Sequence, residues 1–441
     1  MSVGHEPVSV SVGGAEVPPR ASRLSTLVRR LADPSLALLI SQVSAAAAAM
    51  VANVLAARGL APSGRGEIAL LLQLSYLCTA AVLLGSDRSF VLSYHGSTPP
   101  EAVRGYLRLL WRPALILLFA ALVVSAAPLP ESGTWRVSAL LVVLFAIVNA
   151  FVRAVKQTSI AARRQREFLA NTVVTQVLLV GMLLGLFVTG VRNPEVWMLA
   201  YVVSATVPTS VYFARRGAAW RRDARRTPAD GSPDPRPRAV RREGLALLPA
   251  ALANMAMLRV DRLMLAALAS TTALGLYATV ATLTEMLAWP LAAYADSRVG
   301  GWRAAHSRGD FRPGRFLMLA GAYAVVGGAV LGVLSYVLIE PLFGPRYEPA
   351  KGYVLPLTLA AAVYAVARVS IATLVARRRT AWVSVAETVG FVVSLAAYVV
   401  LIPPFGAYGA AYGSLIGYGA CLVATLVVLA RARADERGRN R

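Results

Sequence analysis

The sequence predicts an all-α polytopic membrane protein of about twelve transmembrane helices, arranged as two six-helix lobes around a central cavity. Three observations carry this reading. Of the 441 residues, 57% are hydrophobic and 15% charged, whereas a soluble domain has about a quarter of its residues charged. The apolar residues gather in long runs, and about 20 consecutive apolar residues suffice to cross a bilayer as a helix. The basic residues fall on alternate loops between those runs.

The runs lie at roughly 35–57, 68–86, 112–128, 135–154, 168–190, 195–213, 244–268, 273–295, 316–339, 351–376, 381–402 and 406–430. Inside lipid a segment must satisfy its own backbone hydrogen bonds, which favours helix. Ala- and Leu-rich runs of this length are unlike barrel strands, which alternate and are about half as long. The first run is too long for a signal-peptide core and has no convincing cleavage site, so it is expected to be the first span. Residues 1–33 are polar and rich in Gly, Pro and Ser, which predicts a disordered N-terminus. Residues 34–213 form the expected N-lobe and 244–430 the C-lobe. Between them the Arg-, Pro- and Asp-rich stretch 214–243 reads as a flexible linker. Residues 431–441 make a short basic tail.

Of the 45 basic residues only Lys156 and Lys351 are lysine. The N-terminus, the even-to-odd loops and the C-terminal tail together hold 36; the opposite side holds 6, and Arg259, Arg262 and Arg368 lie inside spans. This is the positive-inside asymmetry carried along the whole chain, and it predicts both termini on the cytoplasmic side. It also accounts for the net charge of +23 without nucleic acid, because dispersed loop arginines sit beside anionic lipid.

The halves show a faint repeat. A shift of 209 residues lays 63–74 on 272–283 and Asp87 on Asp296. Because six spans is an even number, both halves enter from the same side, which predicts parallel repeats about an axis along the membrane normal.

Polar residues inside the spans mark candidate sites. Gln42 and Asn53 are eleven residues apart and share a face of the first span. In the seventh, "NMAMLRVDRLMLAAL" (254–268) holds Arg259, Asp261 and Arg262. The eighth holds Thr282 and Glu285, the tenth Tyr364 and Arg368, and the eleventh Ser384, Glu387, Thr388 and Ser394. A charge at the bilayer centre costs about 2.5–3.5 kcal/mol on the lenient insertion scale, so three facing lipid would cost on the order of 8–10. The charged face is therefore expected to look onto a hydrated cavity or onto partners of opposite sign. Two readings stay open at this level: a pathway for substrate or ions, or an Asp261–Arg262 structural pair with a snorkelling arginine. Glu285 and Glu387 could serve charge pairing or ion coupling. Arg58 ends the first span, and Arg65, in the following loop, reads as a solvated surface residue. Pro249, Pro290 and Pro356 fall within spans, where kinks or breaks are expected. Gly409, Gly413 and Gly417, four apart, predict close helix packing.

No enzyme signature is present: no phosphate-binding loop, nucleophile elbow or metal spacing. Cys78 and Cys421 lie in apolar runs, and His5, His95 and His306 are scattered. Neither a metal nor a cofactor is expected.

Four stretches resemble the polysaccharide and O-antigen flippases of the multidrug/oligosaccharidyl-lipid/polysaccharide (MOP) exporter superfamily. They are "ARGLAPSGRGEIALL" (57–71), "DRLMLAALASTTALGLYATVATLTE" (261–285), "LFGPRYEPAKGYVLPLTLAAAV" (342–363) and "LIPPFGAYGAAYGSLIGYG" (401–419). The resemblance covers most of 35–430, although Ala266 and Ala267 stand where that family often has Gly. It implies alternating access and a cargo of undecaprenyl-pyrophosphate-linked oligosaccharide, with cavity arginines meeting the pyrophosphate. Arg259 and Arg262 are the positions that match. Arg368, Arg58, Asn53 and Gln42 are further substrate-binding candidates, and Asp261, Glu285 and Glu387 are coupling or charge-pairing candidates. Competing expectations are an ion-coupled exporter of drugs or small metabolites, and a membrane scaffold that recruits polysaccharide-synthesis enzymes. Ala- and Arg-heavy, Lys-poor usage suggests a GC-rich bacterial genome, hence a bacterial cytoplasmic membrane.

Overall fold

The computed structural model describes residues 34–439 except 84, 95–96, 127–133, 163, 225–235, 309, 312 and 378. The predicted disordered N-terminus, 1–33, lies outside the described residues. The described elements are helices: α1 (Pro34–Leu83), α2 (Ser86–Ser93), α3 (Pro99–Ala126), α4 (Thr134–Ala161), α5 (Gln165–Val188), α6 (Pro194–Ala224), α7 (Arg236–Leu268), α8 (Thr271–Glu285), α9 (Ala288–Ser307) and α10 (Pro313–Phe343), then a 3-10 helix (Pro345–Tyr353), α11 (Val354–Ala376), α12 (Thr380–Phe405) and α13 (Ala407–Arg439).

Among the described residues nine helices are long and apolar enough to cross a membrane. The first of these, Ile40–Leu83, has 44 residues, enough to cross twice, and so takes up both of the first two predicted spans. The two spans without such a helix are the seventh, where the charges sit, and the eighth, which is broken. Large apolar side chains are exposed on α3 (Leu115, Ile116 and Phe119) and on α10 (Met318, Val325 and Val333). Large apolar side chains pointing outward are what a bilayer solvates.

Three departures from the sequence expectation have physical causes. First, the loop expected at 58–67 is an elbow inside α1. Only Ala61 leaves helical geometry, with φ 59° and ψ 176°. Pro62 follows it, and a proline pushes the residue before it out of the helical region into extended ψ. Second, the span expected at 273–295 is two helices. Pro290 has no N–H for the Met286 carbonyl and its ring crowds that carbonyl. The chain therefore tightens into a turn: Met286 N–H bonds Leu283 O at 3.3 Å and Leu287 N–H bonds Thr284 O at 3.1 Å. At the same break the Tyr323 hydroxyl donates to the Leu287 carbonyl at 3.0 Å. Pro249 and Pro356 break nothing; Pro356 lies in the first turn of α11, where no intrahelical N–H is needed. Third, helix intrudes on the expected linker: α6 runs to Ala224 and α7 starts at Arg236. Val240 is fully buried among N-lobe residues including Phe90, Leu109 and Ala154, which holds the start of α7 against that lobe.

The two lobes meet along a seam at the Arg-poor end. There Ala57 and Ala69 of α1 share one apolar cluster with Leu265, Leu274, Tyr277, Ile339 and Tyr347. Gly66 and Gly275 allow the closest approach: a Cβ on Gly66 would overlap the Thr271 carbonyl, and one on Gly275 the Pro62 carbonyl. Arg58 closes the same seam. Its Nε donates to Leu342 O at 2.7 Å and its Nη2 to Pro341 O at 2.6 Å. These carbonyls end α10, where a cation is favoured by the helix dipole. The Tyr347 hydroxyl donates to Ala57 O at 3.3 Å.

Within the C-lobe the predicted glycine repeat packs α13 onto α12. A Cβ on Gly409 would overlap the Leu401 carbonyl, and one on Gly417 the Ser394 hydroxyl. Gly417→Ala is therefore expected to lose about 1–3 kcal/mol of stability through overpacking, read as a lowered midpoint of thermal unfolding in detergent.

Candidate functional site

A cavity of about 260 Å³ opens in the C-lobe, between α7, α8, α9, α11 and α13. Its walls combine Arg259, Asp261, Glu285 and Arg368 with Tyr277, Tyr364, Tyr418, Trp289 and Ser414. Arg259 and Asp261 of α7 thus border a chamber whose walls mix charged, aromatic and aliphatic side chains. Every described residue of its wall lies in the C-lobe, so this chamber is within that lobe and not between the two, where the sequence reading expected the central cavity.

The in-span charges are sorted by partner. Arg262 is 4% exposed, and its guanidinium forms an ion pair with Glu285, one helix away on α8. Arg368 on α11 pairs with Glu387 on α12 at 3.8 Å. Asp261 does not pair with Arg262 in the way the structural reading allowed. It accepts a 2.6 Å hydrogen bond from the Tyr277 hydroxyl through Oδ2. Its Oδ1, also buried, has no hydrogen-bond partner among the described residues. Tyr277 lies 3.4 Å from Ser414, whose hydroxyl is 2.9 Å from that of Tyr398. A chain of hydroxyls therefore leads from Asp261 across α8 to α12 and α13.

Arg259 differs from the other two arginines. It has no carboxylate partner among the described residues. Its Nη1 donates to Gln73 Oε1 at 3.1 Å, and its guanidinium carbon lies 5.1 Å from the centre of the Tyr76 ring. Gln73 and Tyr76 belong to α1, so the uncompensated cation of the cavity is held from across the lobe boundary. A guanidinium over an aromatic face is favourable by roughly 0.5–2 kcal/mol, yet its charge is not cancelled there.

The remaining sequence candidates lie elsewhere. Asn53 is 3% exposed and accepts from Arg65 Nε at 2.8 Å. Arg65 is itself only 7% exposed, so it is not the solvated surface residue expected. The α1 elbow folds it back beside Asn53. Gln42 is exposed and does not join Asn53 in a shared polar cluster. Arg58 is outside the cavity wall, engaged in the seam. Sequence reasoning missed Gln73, Tyr76, Tyr277 and Ser414. Gln73 carried a signal, being a lone amide in "LLLQLSYL" (70–77), but nothing in one helix shows which arginine it meets.

Neither a family model nor a curated protein matches the chain. Its fold is nonetheless shared with solved structures. It is similar to the lipid II flippase MurJ in an inward closed conformation, with a TM-score of 0.61 and 11% identity, over 90% of this chain and 87% of that one. It is also similar to a multidrug resistance MATE family transporter of the MOP superfamily. In the inward-facing form of that transporter the TM-score is 0.58 at 14% identity, over 92% of this chain and 96% of that one. The outward-facing form gives 0.57 at 14% identity, over 91% and 95%. The chain has the fold of these transporters. MurJ and the MATE proteins are both members of the MOP superfamily, the group that the four sequence stretches resemble. At these identities the likeness reaches the fold, and the cargo has to be argued from the cavity.

Proposed function

We propose that the protein is a transporter that moves a lipid-linked oligosaccharide, carried on a polyprenyl pyrophosphate such as undecaprenyl pyrophosphate, across the cytoplasmic membrane of a bacterium by alternating access. In this reading the Arg-rich loops and both termini are cytoplasmic. The observation that carries it is Arg259, a cation without a carboxylate partner in the wall of an in-membrane cavity. Guanidinium forks match phosphate oxygens in two-pronged geometry, and a low-dielectric surrounding strengthens that attraction. Arg262 and Arg368, each already paired with a glutamate, leave Arg259 as the group with charge to offer. The closed seam at Gly66 and Gly275 is one end of the alternating cycle. The buried acid Asp261, with its chain of hydroxyls, supplies a group for ion or proton coupling.

A second reading, export of drugs or small metabolites, draws on the aromatic and acidic part of the same wall: Tyr364, Tyr418, Trp289 and Glu285. The two separate experimentally. In proteoliposomes carrying a polyprenyl-pyrophosphate-linked sugar, Arg259→Gln is expected to lower translocation about ten- to a hundredfold. That is the loss of one charged hydrogen bond of about 1.5–3 kcal/mol, at roughly 1.4 kcal/mol per tenfold. Unchanged translocation in a folded variant would remove the anion reading. Sensitivity of a deletion strain to toxic cations, with no glycan defect, would favour the exporter.

A further inference from the structure

The contact between Arg259 and Gln73 is an odd one for a membrane protein to keep. Gln73 is 4% exposed and its amide oxygen is spent on an arginine of the other lobe at 3.1 Å. Arg262 and Arg368 show that this chain supplies a glutamate where it neutralises an in-span arginine. At Arg259 it supplies a neutral oxygen instead. An amide oxygen accepts the same N–H that a phosphoryl or carboxylate oxygen would, but more weakly, because it offers the guanidinium a neutral dipole and not a full opposite charge.

We propose that Gln73 is the specificity-determining residue of the Arg259 site: its amide oxygen holds the place that an anionic oxygen of the cargo takes, so that only formally anionic cargo displaces it. This rests on the reading of Arg259 as the headgroup contact. Two consequences follow from the geometry. A neutral sugar or alcohol offers Arg259 nothing that Gln73 does not already provide, and is not selected. An anion that takes Arg259 also breaks a hydrogen bond between α7 and α1. Occupation of the site therefore loosens the lobe boundary at mid-membrane, while Tyr76 keeps its ring against the guanidinium. The ligand class is an anionic phosphate or pyrophosphate oxygen, whichever glycan it carries.

The test uses the full-length protein in lipid nanodiscs, with inorganic pyrophosphate as the probe and calorimetric titration as the readout. Gln73→Ala removes the tethered competitor. If Gln73 holds Arg259 in about 70–90% of unliganded molecules, binding tightens roughly three- to tenfold. Gln73→Glu installs a permanent anion and is expected to weaken binding by at least about tenfold, because the tethered competitor then forms an ion pair with Arg259. Arg259→Gln is expected to weaken binding about ten- to a hundredfold, the loss of one charged hydrogen bond. A residue with only a packing role would weaken binding in both Gln73 variants, so opposite signs are the diagnostic. Gln73→Ala binding at or below the unsubstituted level overturns the proposal, as does equal loss in both variants. Unfolding midpoints within a few degrees of the parent establish that each variant is folded. If Gln73→Ala fails that check, Gln73→Leu, which keeps the volume, takes its place. Unchanged pyrophosphate binding in Arg259→Gln, or none in the unsubstituted protein, overturns the reading of Arg259 itself. Loss in Arg259→Gln without a gain in Gln73→Ala overturns the role of Gln73 alone.

Discussion

Glu285→Ala is expected to destabilise the folded protein by about 3 kcal/mol, because it leaves the buried Arg262 guanidinium without its carboxylate. Breaking a buried pair by removing one partner costs roughly 3–5 kcal/mol. The lower end applies here because the Glu285 side chain is 32% exposed to the cavity and water screens part of the charge. The double variant Arg262→Met/Glu285→Leu removes both charges, and such replacements by apolar residues of similar size are often neutral or stabilising. Its unfolding midpoint in detergent should therefore return to, or pass, that of the parent. A single variant as stable as the parent would show that the pair is not a structural tie of α7 to α8. Translocation by the double variant then asks a separate question, whether the pair also serves the cycle.

Gly66→Ala and Gly275→Ala should have the largest effect on transport of any neutral substitution. At both positions the added methyl meets a backbone carbonyl of the opposite lobe, Thr271 or Pro62, and a carbonyl has no rotamer by which to yield. The overlap exists only while the seam is shut. An overpacking cost of roughly 1–3 kcal/mol falls on that state alone, and at about 1.4 kcal/mol per tenfold it shifts the gate equilibrium by up to a hundredfold. The shift can be read with a single cysteine at Ala57, which is 2% exposed in the seam, in a background where Cys78 and Cys421 are serine. A membrane-impermeant thiol reagent should label it slowly in the parent and rapidly in either alanine variant. Equal labelling rates would mean that the seam is not a moving gate.

How much of this was legible beforehand depends on the range of the interaction. Hydropathy and loop charge are properties of single segments, and they placed ten of the twelve spans on helices long and apolar enough to cross. The glycine ladder Gly409, Gly413 and Gly417 was readable because three residues on one face specify close approach whatever the partner is. The burial cost of Arg259, Asp261 and Arg262 was readable for the same reason, since lipid is unfavourable from every direction. The elbow at Ala61 was less so, because an apolar stretch with one proline fits a loop as well as a one-residue break.

Sequence by itself determined the membrane-spanning helical class, the alternation of basic loops and the helix on which an inward-facing charge must sit, because each follows from chain-local solvation. Only the tertiary structure decided which charge remains available. Glu285 and Glu387 reach Arg262 and Arg368 from neighbouring helices, while Arg259 meets an amide 186 positions earlier in the chain. Coulomb attraction and hydrogen bonding act over a few ångströms, and no spacing along one helix reports how close two distant helices are brought by packing.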